Sequence, residues 1–190
     1  MTTTDQSQTG LALRRTVVLV GMMGSGKTAI GRALSQRLAV PFLDSDAEIE
    51  TAANASIAEI FARDGEPFFR RRESEVISRL LTGPPCILST GGGAYLAQGN
   101  RHAIRQHGVA VWLNAPLDLL WDRVRHKDSR PLLRTADPQA TLARIFEDRT
   151  PIYAKAALHL DVRHRASIDE TTDDVIALLK TREDILEDLT

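Results

Sequence analysis

The sequence contains almost nothing that is typical of secreted or membrane proteins. A single cysteine, Cys86, stands among 190 residues, so no disulfide can form within the chain. That usage suits a reducing compartment, and we expect a cytoplasmic protein with Cys86 in its core. No apolar run is long enough to span a bilayer, and the N-terminal segment MTTTDQSQTG lacks the apolar stretch of a signal peptide.

Neither sign of charge is in excess. The formal net charge is -1 at pH 7, which indicates no general affinity for nucleic acid or for an anionic membrane. The five histidines show no metal-binding spacing with acidic residues or cysteine, and we interpret them as surface or structural residues. The function must therefore be found in local motifs.

Short β-rich segments alternate with helical patterns, which predicts an α/β fold with a parallel sheet. The predicted strands are residues 16–20, 40–43, 86–89, 109–113 and 158–162. Helices are predicted at 27–38, 56–64, 67–81, 100–106, 116–125 and 137–149, with a terminal helix from near Thr172. We expect one domain, residues 13–182, between a disordered N-terminal tail, 1–12, and a C-terminal tail, 183–190.

The segment GMMGSGKT, residues 21–28, matches the phosphate-binding loop G-x-x-x-x-G-K-[ST] between a predicted strand and a helix. Its glycines allow a tight turn whose N–H groups form an anion nest. Lys27 can reach the β- and γ-phosphates, and the Thr28 hydroxyl can bind Mg²⁺. The full motif favours a nucleoside triphosphate site over a simple glycine-rich turn. Kinases, GTPases, motors and transporters share this loop, so it does not define the function.

Two further motifs follow predicted strands. FLDSD contains two carboxylates, Asp44 and Asp46. One of them can bind Mg²⁺ through water, and the other can accept hydrogen bonds from a substrate hydroxyl. Spacing alone favours another interpretation for Asp46, as the N-cap of the helix that continues with AEIE. In STGGG the strand ends in Ser89 and Thr90 rather than in the usual magnesium-binding aspartate, which leaves Asp44 as the candidate. The three glycines would bring bare backbone close to a ligand.

Arginines stand in three further motifs. FFRRRE carries three in succession, of which at most two share a helix face. They either pair with nearby glutamates in solvent or clamp a carboxylate. HKDSRPLL is either an exposed basic loop or a lid whose Arg130 closes over the phosphates. Arg149, in EDRTPIY, can bind a ligand or simply favour the helix dipole.

The ordered set GMMGSGKT, FLDSD, GEPFFRRRE, STGGG, RPLL and DRTPIY resembles the shikimate kinase family, from residue 17 to residue 162. The resemblance implies a P-loop kinase with a mobile lid and a five-stranded parallel sheet of order 2-3-1-4-5, flanked by helices. It also implies ATP-dependent phosphorylation of the 3-hydroxyl of shikimate to shikimate 3-phosphate and ADP, in chorismate and aromatic amino acid synthesis. Such enzymes are typically cytoplasmic monomers.

The resemblance also implies a role for each matching residue. ATP would contact the phosphate loop and the lid, at Gly24, Ser25, Gly26, Lys27, Thr28, Ala29 and Arg130. Shikimate would be held by Asp46 on its hydroxyls, by Arg70 and Arg149 on its carboxylate, and by the Gly92 N–H. Catalysis would rest on Lys27, Asp46 and Arg130. The metal would be Mg²⁺, bound by Thr28 directly and by Asp44 through water.

Some assignments stay open. The family stacks adenine on arginines, and Arg125, Arg163 and Arg165 are all candidates here. A gluconate kinase would share the phosphate loop, although DSD together with STGGG argues against it. A nucleotide-dependent switch would usually carry an acidic third strand or the sequence NKxD, and neither is present.

Overall fold

A parallel five-stranded sheet forms the centre of the computed structural model, which describes residues 10–126 and 131–188. The strands in chain order are β1 Leu11–Leu13, β2 Thr16–Val20, β3 Phe42–Asp44, β4 Ile87–Ser89, β5 Gly108–Asn114, β6 Leu158–Asp161 and β7 Leu186–Asp188. The central sheet has the order β3-β4-β2-β5-β6, and all its neighbours are parallel. Counted by themselves, these five strands confirm the predicted order 2-3-1-4-5.

Helices cover the sheet, and the central strands are accordingly buried. The helices are α1 Lys27–Leu38, α2 Ser45–Ala53, α3 Ile57–Leu81, α4 Gln98–His107, α5 Leu117–Val124, α6 Pro138–Tyr153 and α7 Ile168–Lys180. Every residue of β2 and β4 is buried, as expected of parallel strands with helices on both faces. None of the helices in the described ranges is long and apolar enough to cross a bilayer.

Helix α3 consists of two helical halves joined at Gly65. This glycine has φ 80° and ψ 169°, a conformation outside the helical region. Ser56 and Glu59 form a capping box at the start, and Pro67 stands in the first turn of the second half. The two helices predicted for this segment are therefore confirmed. The second half carries the arginine run to the edge of the sheet.

The N-cap of α2 is Asp44, and the interpretation of Asp46 as the cap is wrong. Asp44 keeps the extended backbone of β3, with φ -120° and ψ 121°, and its Oδ1 accepts hydrogen bonds from the N–H groups of Asp46 at 3.0 Å and Ala47 at 3.4 Å. The helix therefore starts two residues earlier than the capping interpretation required. The Asp46 carboxylate is left for another role.

A short antiparallel ribbon joins the two ends of the chain, where the sequence predicted tails. Leu11–Leu13 pairs with Leu186–Asp188. The disorder expected through residue 12 is wrong for Leu11 and Ala12, because this segment and its partner bury Leu13, Ile185 and Leu186 in the main core. Residues 1–9 of the predicted tail lie outside the described residues.

Candidate functional site

A cleft of about 650 Å³ opens at the carboxyl ends of β2, β3 and β4. Ligands of open α/β sheets bind at this edge. Its walls come from the phosphate loop, from the turns after β3 and β4, and from the first turn of α7 with the segment before it. The lining includes Met23–Ile30, Asp44, Asp46, Ser89–Gly92, Arg123, Val162, Ala166–Ile168 and Thr171.

The phosphate loop depends on glycine for its backbone conformation. Gly21, Gly24 and Gly26 have φ values of 140°, 82° and 100°, which other L-residues adopt only with strain. A Cβ on Gly24 would lie 2.8 Å from Val124 Cγ1. Gly26 is also the N-cap of α1 and offers no side-chain cap. The first N–H groups of α1 therefore remain for an anion.

Two polar side chains of this loop stand out. Lys27 Nζ donates hydrogen bonds to the carbonyl oxygens of Gly21 and Met22, both at 2.9 Å. These bonds hold the ammonium group at the floor of the nest. Ser25 Oγ is buried and, within the described part of the chain, is the single buried side-chain polar atom without a hydrogen-bond partner.

Asp46 has an unusual electrostatic environment. Its pKa is raised from 3.8 to about 6, chiefly because burial penalises the carboxylate, and further because Asp44 and Glu73 are nearby. Lys27 and Arg70 oppose this shift. The carboxyl group therefore lies between the cation of the phosphate loop and the first arginine of the arginine run, and it is mostly ionised at neutral pH.

The three glycines after β4 make room for three polar side chains. A Cβ on Gly91 would lie 2.7 Å from an Asp46 carboxylate oxygen, and one on Gly93 would lie 2.6 Å from Arg70 Nη1. A Cβ on Gly92 would lie 3.3 Å from Arg149 Nη1. Positive φ is not the reason for glycine here. The structure thus brings Asp46, Arg70 and Arg149 together from three distant segments, over consecutive glycines.

The two arginines of this cluster differ in their partners. Arg70 donates hydrogen bonds to Glu73 at 2.8 Å and to Glu66 at 3.2 Å. Glu73 is almost fully buried, which raises its pKa, while Arg70 acts to lower it. Among the described residues, no carboxylate pairs with Arg149, whose guanidinium lies beside the Tyr153 hydroxyl. Arg149 therefore has the greater capacity to bind an incoming carboxylate.

The other two arginines of the run lie away from the cluster. Arg71 and Arg72 stack on the Phe68 ring, and Arg72 also pairs with Glu75. Only the first arginine of the three thus reaches the glycines. The sequence pattern allowed at most two on one face, which agrees with this arrangement.

The cleft contains, beside the phosphate loop, an arginine that the sequence patterns did not single out. Arg123 lines the cleft and donates a hydrogen bond to the Gly24 carbonyl at 3.1 Å. The candidates Arg125 and Arg163 instead pair with Asp122 and Asp174. The contact of Val124 with Gly24 turns the start of RVRH toward the loop, a tertiary relation that the sequence does not reveal. Arg130 lies outside the described residues.

Comparisons with known proteins agree on one family. The family model "SKI: Shikimate kinase" matches residues 23–180. The chain is 66% identical over 176 residues to the shikimate kinase of Ruegeria pomeroyi, covering 93% of this chain and 90% of that protein. It is 58% identical over 183 residues to the shikimate kinase of Cereibacter sphaeroides, covering 96% and 92%.

A solved structure gives the same result. The shikimate kinase from Acinetobacter baumannii in complex with shikimate superposes with a TM-score of 0.83 at 34% identity, covering 88% of this chain and 93% of that one. The resemblance that the motifs indicated is thereby confirmed. The chain belongs to the shikimate kinase family.

Proposed function

We propose that the cleft is the active site in which this kinase brings ATP and shikimate together. The enzyme transfers a phosphoryl group from ATP to the 3-hydroxyl of shikimate, giving shikimate 3-phosphate and ADP in the pathway to chorismate and the aromatic amino acids. One observation carries the site assignment: a phosphate loop and a cluster of one carboxylate and two arginines meet at one edge of one sheet.

ATP binds along the phosphate loop. Residues 24–29 surround the phosphates, to which the N–H groups of residues 26–29 donate, while the Ser25 N–H donates a hydrogen bond to the Met22 carbonyl at 3.2 Å. Lys27 turns from its carbonyl partners toward the transferred group. Adenine lies between the Arg123 guanidinium and the start of α7, where Ile168 is 52% exposed and lines the cleft. Arg130, which lies outside the described residues, also binds the phosphates in this proposal.

The residues present fit a magnesium ion held with the nucleotide. Thr28 and Asp44 line the same cleft. Oδ1 of Asp44 caps α2, which leaves Oδ2 to accept a hydrogen bond from a metal-bound water. Mg²⁺ keeps several waters and binds through few protein ligands together with phosphate oxygens. When bound, the ion neutralises phosphate charge.

Shikimate binds at the triple glycine. Arg149 and Arg70 hold its carboxylate, with the Gly92 N–H in the same pocket. Asp46 accepts a hydrogen bond from a hydroxyl. The two glutamates on Arg70 fix its orientation, while Arg149 contributes the uncompensated positive charge.

The chemistry needs accurate positioning more than a strong base. Phosphoryl transfer has a loose transition state, so alignment and charge neutralisation supply most of the acceleration. Lys27 and Arg130 stabilise the γ-phosphate oxygens. Asp46, with a pKa of about 6, orients the hydroxyl and is able to accept its proton late in the reaction.

Acceptor-dependent ADP release tests this function. Purified enzyme with ATP and Mg²⁺ receives shikimate, gluconate or no acceptor in parallel. We expect rapid release with shikimate alone. Release with gluconate would remove Arg70 and Arg149 from their roles as carboxylate ligands of shikimate. Release without any acceptor would indicate a nucleotide-hydrolysing switch.

We also propose that the enzyme acts as a cytoplasmic monomer without nucleic-acid partners. The near-zero net charge and the single buried cysteine support this proposal. Light scattering coupled to gel filtration measures the mass in solution. A mass of about twice the 20.9 kDa of the chain would contradict it.

A further inference from the structure

Tyr153 lies at the meeting point of the triple glycine and Arg149. It is the last residue of α6, one helical turn after Arg149, and its side chain is 1% exposed. Its hydroxyl donates a hydrogen bond to the Gly92 carbonyl oxygen at 2.6 Å. The Arg149 guanidinium lies beside the same hydroxyl: its Nη1 and the Tyr153 oxygen lie 3.3 Å and 3.5 Å from the position of a Cβ on Gly92. One phenol thus contacts two groups of the proposed shikimate pocket.

Packing alone does not account for this tyrosine. Its ring stacks on Trp112 with centroids 6.4 Å apart, and a phenylalanine would fill the same space. A buried phenol hydroxyl is favourable only where it finds a partner. Here its partner is the backbone of the glycine run, so the hydroxyl has a role beyond filling the core.

Backbone hydrogen bonds hold the two outer carbonyl groups of the glycine run, from the Ala94 N–H to Gly91 at 3.0 Å and from the Leu96 N–H to Gly93 at 3.1 Å. The middle carbonyl, that of Gly92, is held by Tyr153. Glycine has more accessible backbone conformations than any other residue, so its peptide groups reorient easily. The peptide group is planar, and a bond to the Gly92 carbonyl therefore also fixes the direction of the Gly93 N–H. At the other end, Ser45 Oγ accepts a hydrogen bond from the Gly91 N–H at 3.3 Å. Two hydroxyl groups from separate helices thus hold the run.

We propose that Tyr153 is a positioning residue for shikimate: its hydroxyl fixes the triple glycine and the Arg149 guanidinium in the arrangement that receives the substrate. Tyr153 acts through Gly92 and Arg149 and has no contact with the reacting atoms. This proposal rests on the shikimate pocket assigned under the proposed function.

The variant Tyr153→Phe tests the proposal, because it removes the hydroxyl and keeps the ring on Trp112. The loss of one buried hydrogen bond predicts a KM for shikimate about 5- to 10-fold higher, with the KM for ATP unchanged and the melting temperature lower by only about 2–4 °C. Tyr95→Phe is the matched control, since Tyr95 is the other of the two tyrosines and is equally buried. We expect wild-type constants for it.

Calorimetric binding of shikimate to Arg149→Ala separates the two proposals. If Arg149→Ala loses binding and Tyr153→Phe keeps the wild-type KM for shikimate, the role of Tyr153 is overturned and the pocket stands. If Tyr153→Phe lowers only kcat and the melting temperature, Tyr153 is a packing residue and the proposal is overturned. If Arg149→Ala binds shikimate as the wild type does, the pocket and the role of Tyr153 both fall.

Discussion

Two glycine-rich loops meet in the cleft, and glycine serves a different purpose in each. In the phosphate loop, Gly21, Gly24 and Gly26 have positive φ values that an alanine would adopt only with strain. In the triple glycine, none of residues 91–93 has a positive φ, and the side chains of Asp46, Arg149 and Arg70 occupy the space beside them. The phosphate loop needs glycine for its backbone conformation. The triple glycine needs it because neighbouring side chains occupy the space that a Cβ atom would take.

We propose that this difference follows from the two substrates, ATP and shikimate. Phosphate groups are bound by backbone N–H groups, which must converge, so the chain itself has to curl. A small carboxylic acid with several hydroxyls requires side chains of opposite charge at chosen positions. Those side chains come from α2, α3 and α6 and need a surface without Cβ atoms on which to converge.

The variant Gly24→Ala should have the largest effect on folding. The φ of 82° and the contact of 2.8 Å with Val124 Cγ1 predict a free energy of unfolding lower by about 2–4 kcal/mol. Urea denaturation without ligands measures it. An alanine variant as stable as the wild type would show that the loop relaxes without cost.

The variant Gly93→Ala should impair shikimate binding more than folding. Its Cβ would lie 2.6 Å from the end of the Arg70 side chain, which is flexible and can move aside. Displacing that guanidinium predicts a KM for shikimate higher by roughly 10- to 100-fold. Because the bond from Arg70 to the buried Glu73 is weakened, the free energy of unfolding should fall by about 1 kcal/mol, less than in Gly24→Ala.

Gly99→Ala is the matched control for that variant. No heavy atom lies within 4 Å of the position of its Cβ, so steady-state kinetics should be those of the wild type. A loss of unfolding free energy in Gly93→Ala as large as that in Gly24→Ala would mean that the triple glycine is also a conformational requirement.

The variant Asp46→Asn should separate activity from stability. The pKa of Asp46 in the folded state, about 6, exceeds its ordinary value of 3.8, so the folded state binds this proton more tightly than the unfolded state. The contribution of Asp46 therefore lowers the free energy of unfolding as the pH rises from about 4 to 6. The free energy of unfolding of the variant should exceed that of the wild type by about 1–2 kcal/mol at about pH 8, and this difference should be smaller at about pH 5.

Activity should respond in the opposite direction. Asp46→Asn should lose most of its shikimate-dependent turnover, and the wild-type kcat/KM for shikimate should fall below about pH 6 as the carboxylate is protonated. Denaturation curves and pH–rate profiles measure the two effects. If the variant is less stable than the wild type at about pH 8, then burial of the Asp46 carboxylate does not lower the free energy of unfolding, and this interpretation is wrong.

The elements with local signals were predictable from the sequence. The phosphate loop, the capping box at Ser56 and the five central strands each depend on neighbouring residues or on a regular hydrophobic pattern. The start of α7 also has a local signal, since Ser167 and Glu170 form a capping box. The predicted start near Thr172 overlooked it, and the helix begins at Ile168.

The remaining features depend on contacts between distant segments. The ribbon of β1 and β7 joins the two ends of the chain through strands of three residues each, too short for a clear alternation. The side chains that require the triple glycine are distant from it in the sequence. Even the nearest of them in the sequence, Arg70, precedes Gly91 by 21 residues. Arg123 and Tyr153 have no local pattern that separates them from their neighbours.

The most direct test is a calorimetric comparison of Gly24→Ala and Gly93→Ala, each titrated separately with a non-hydrolysable ATP analogue with Mg²⁺ and with shikimate. We predict that Gly24→Ala loses affinity for the nucleotide and keeps its affinity for shikimate, and that Gly93→Ala shows the reverse. Equal losses of affinity for both ligands in either variant would contradict the central claim, which is that backbone groups bind the nucleotide in one half of the cleft and side chains bind shikimate in the other.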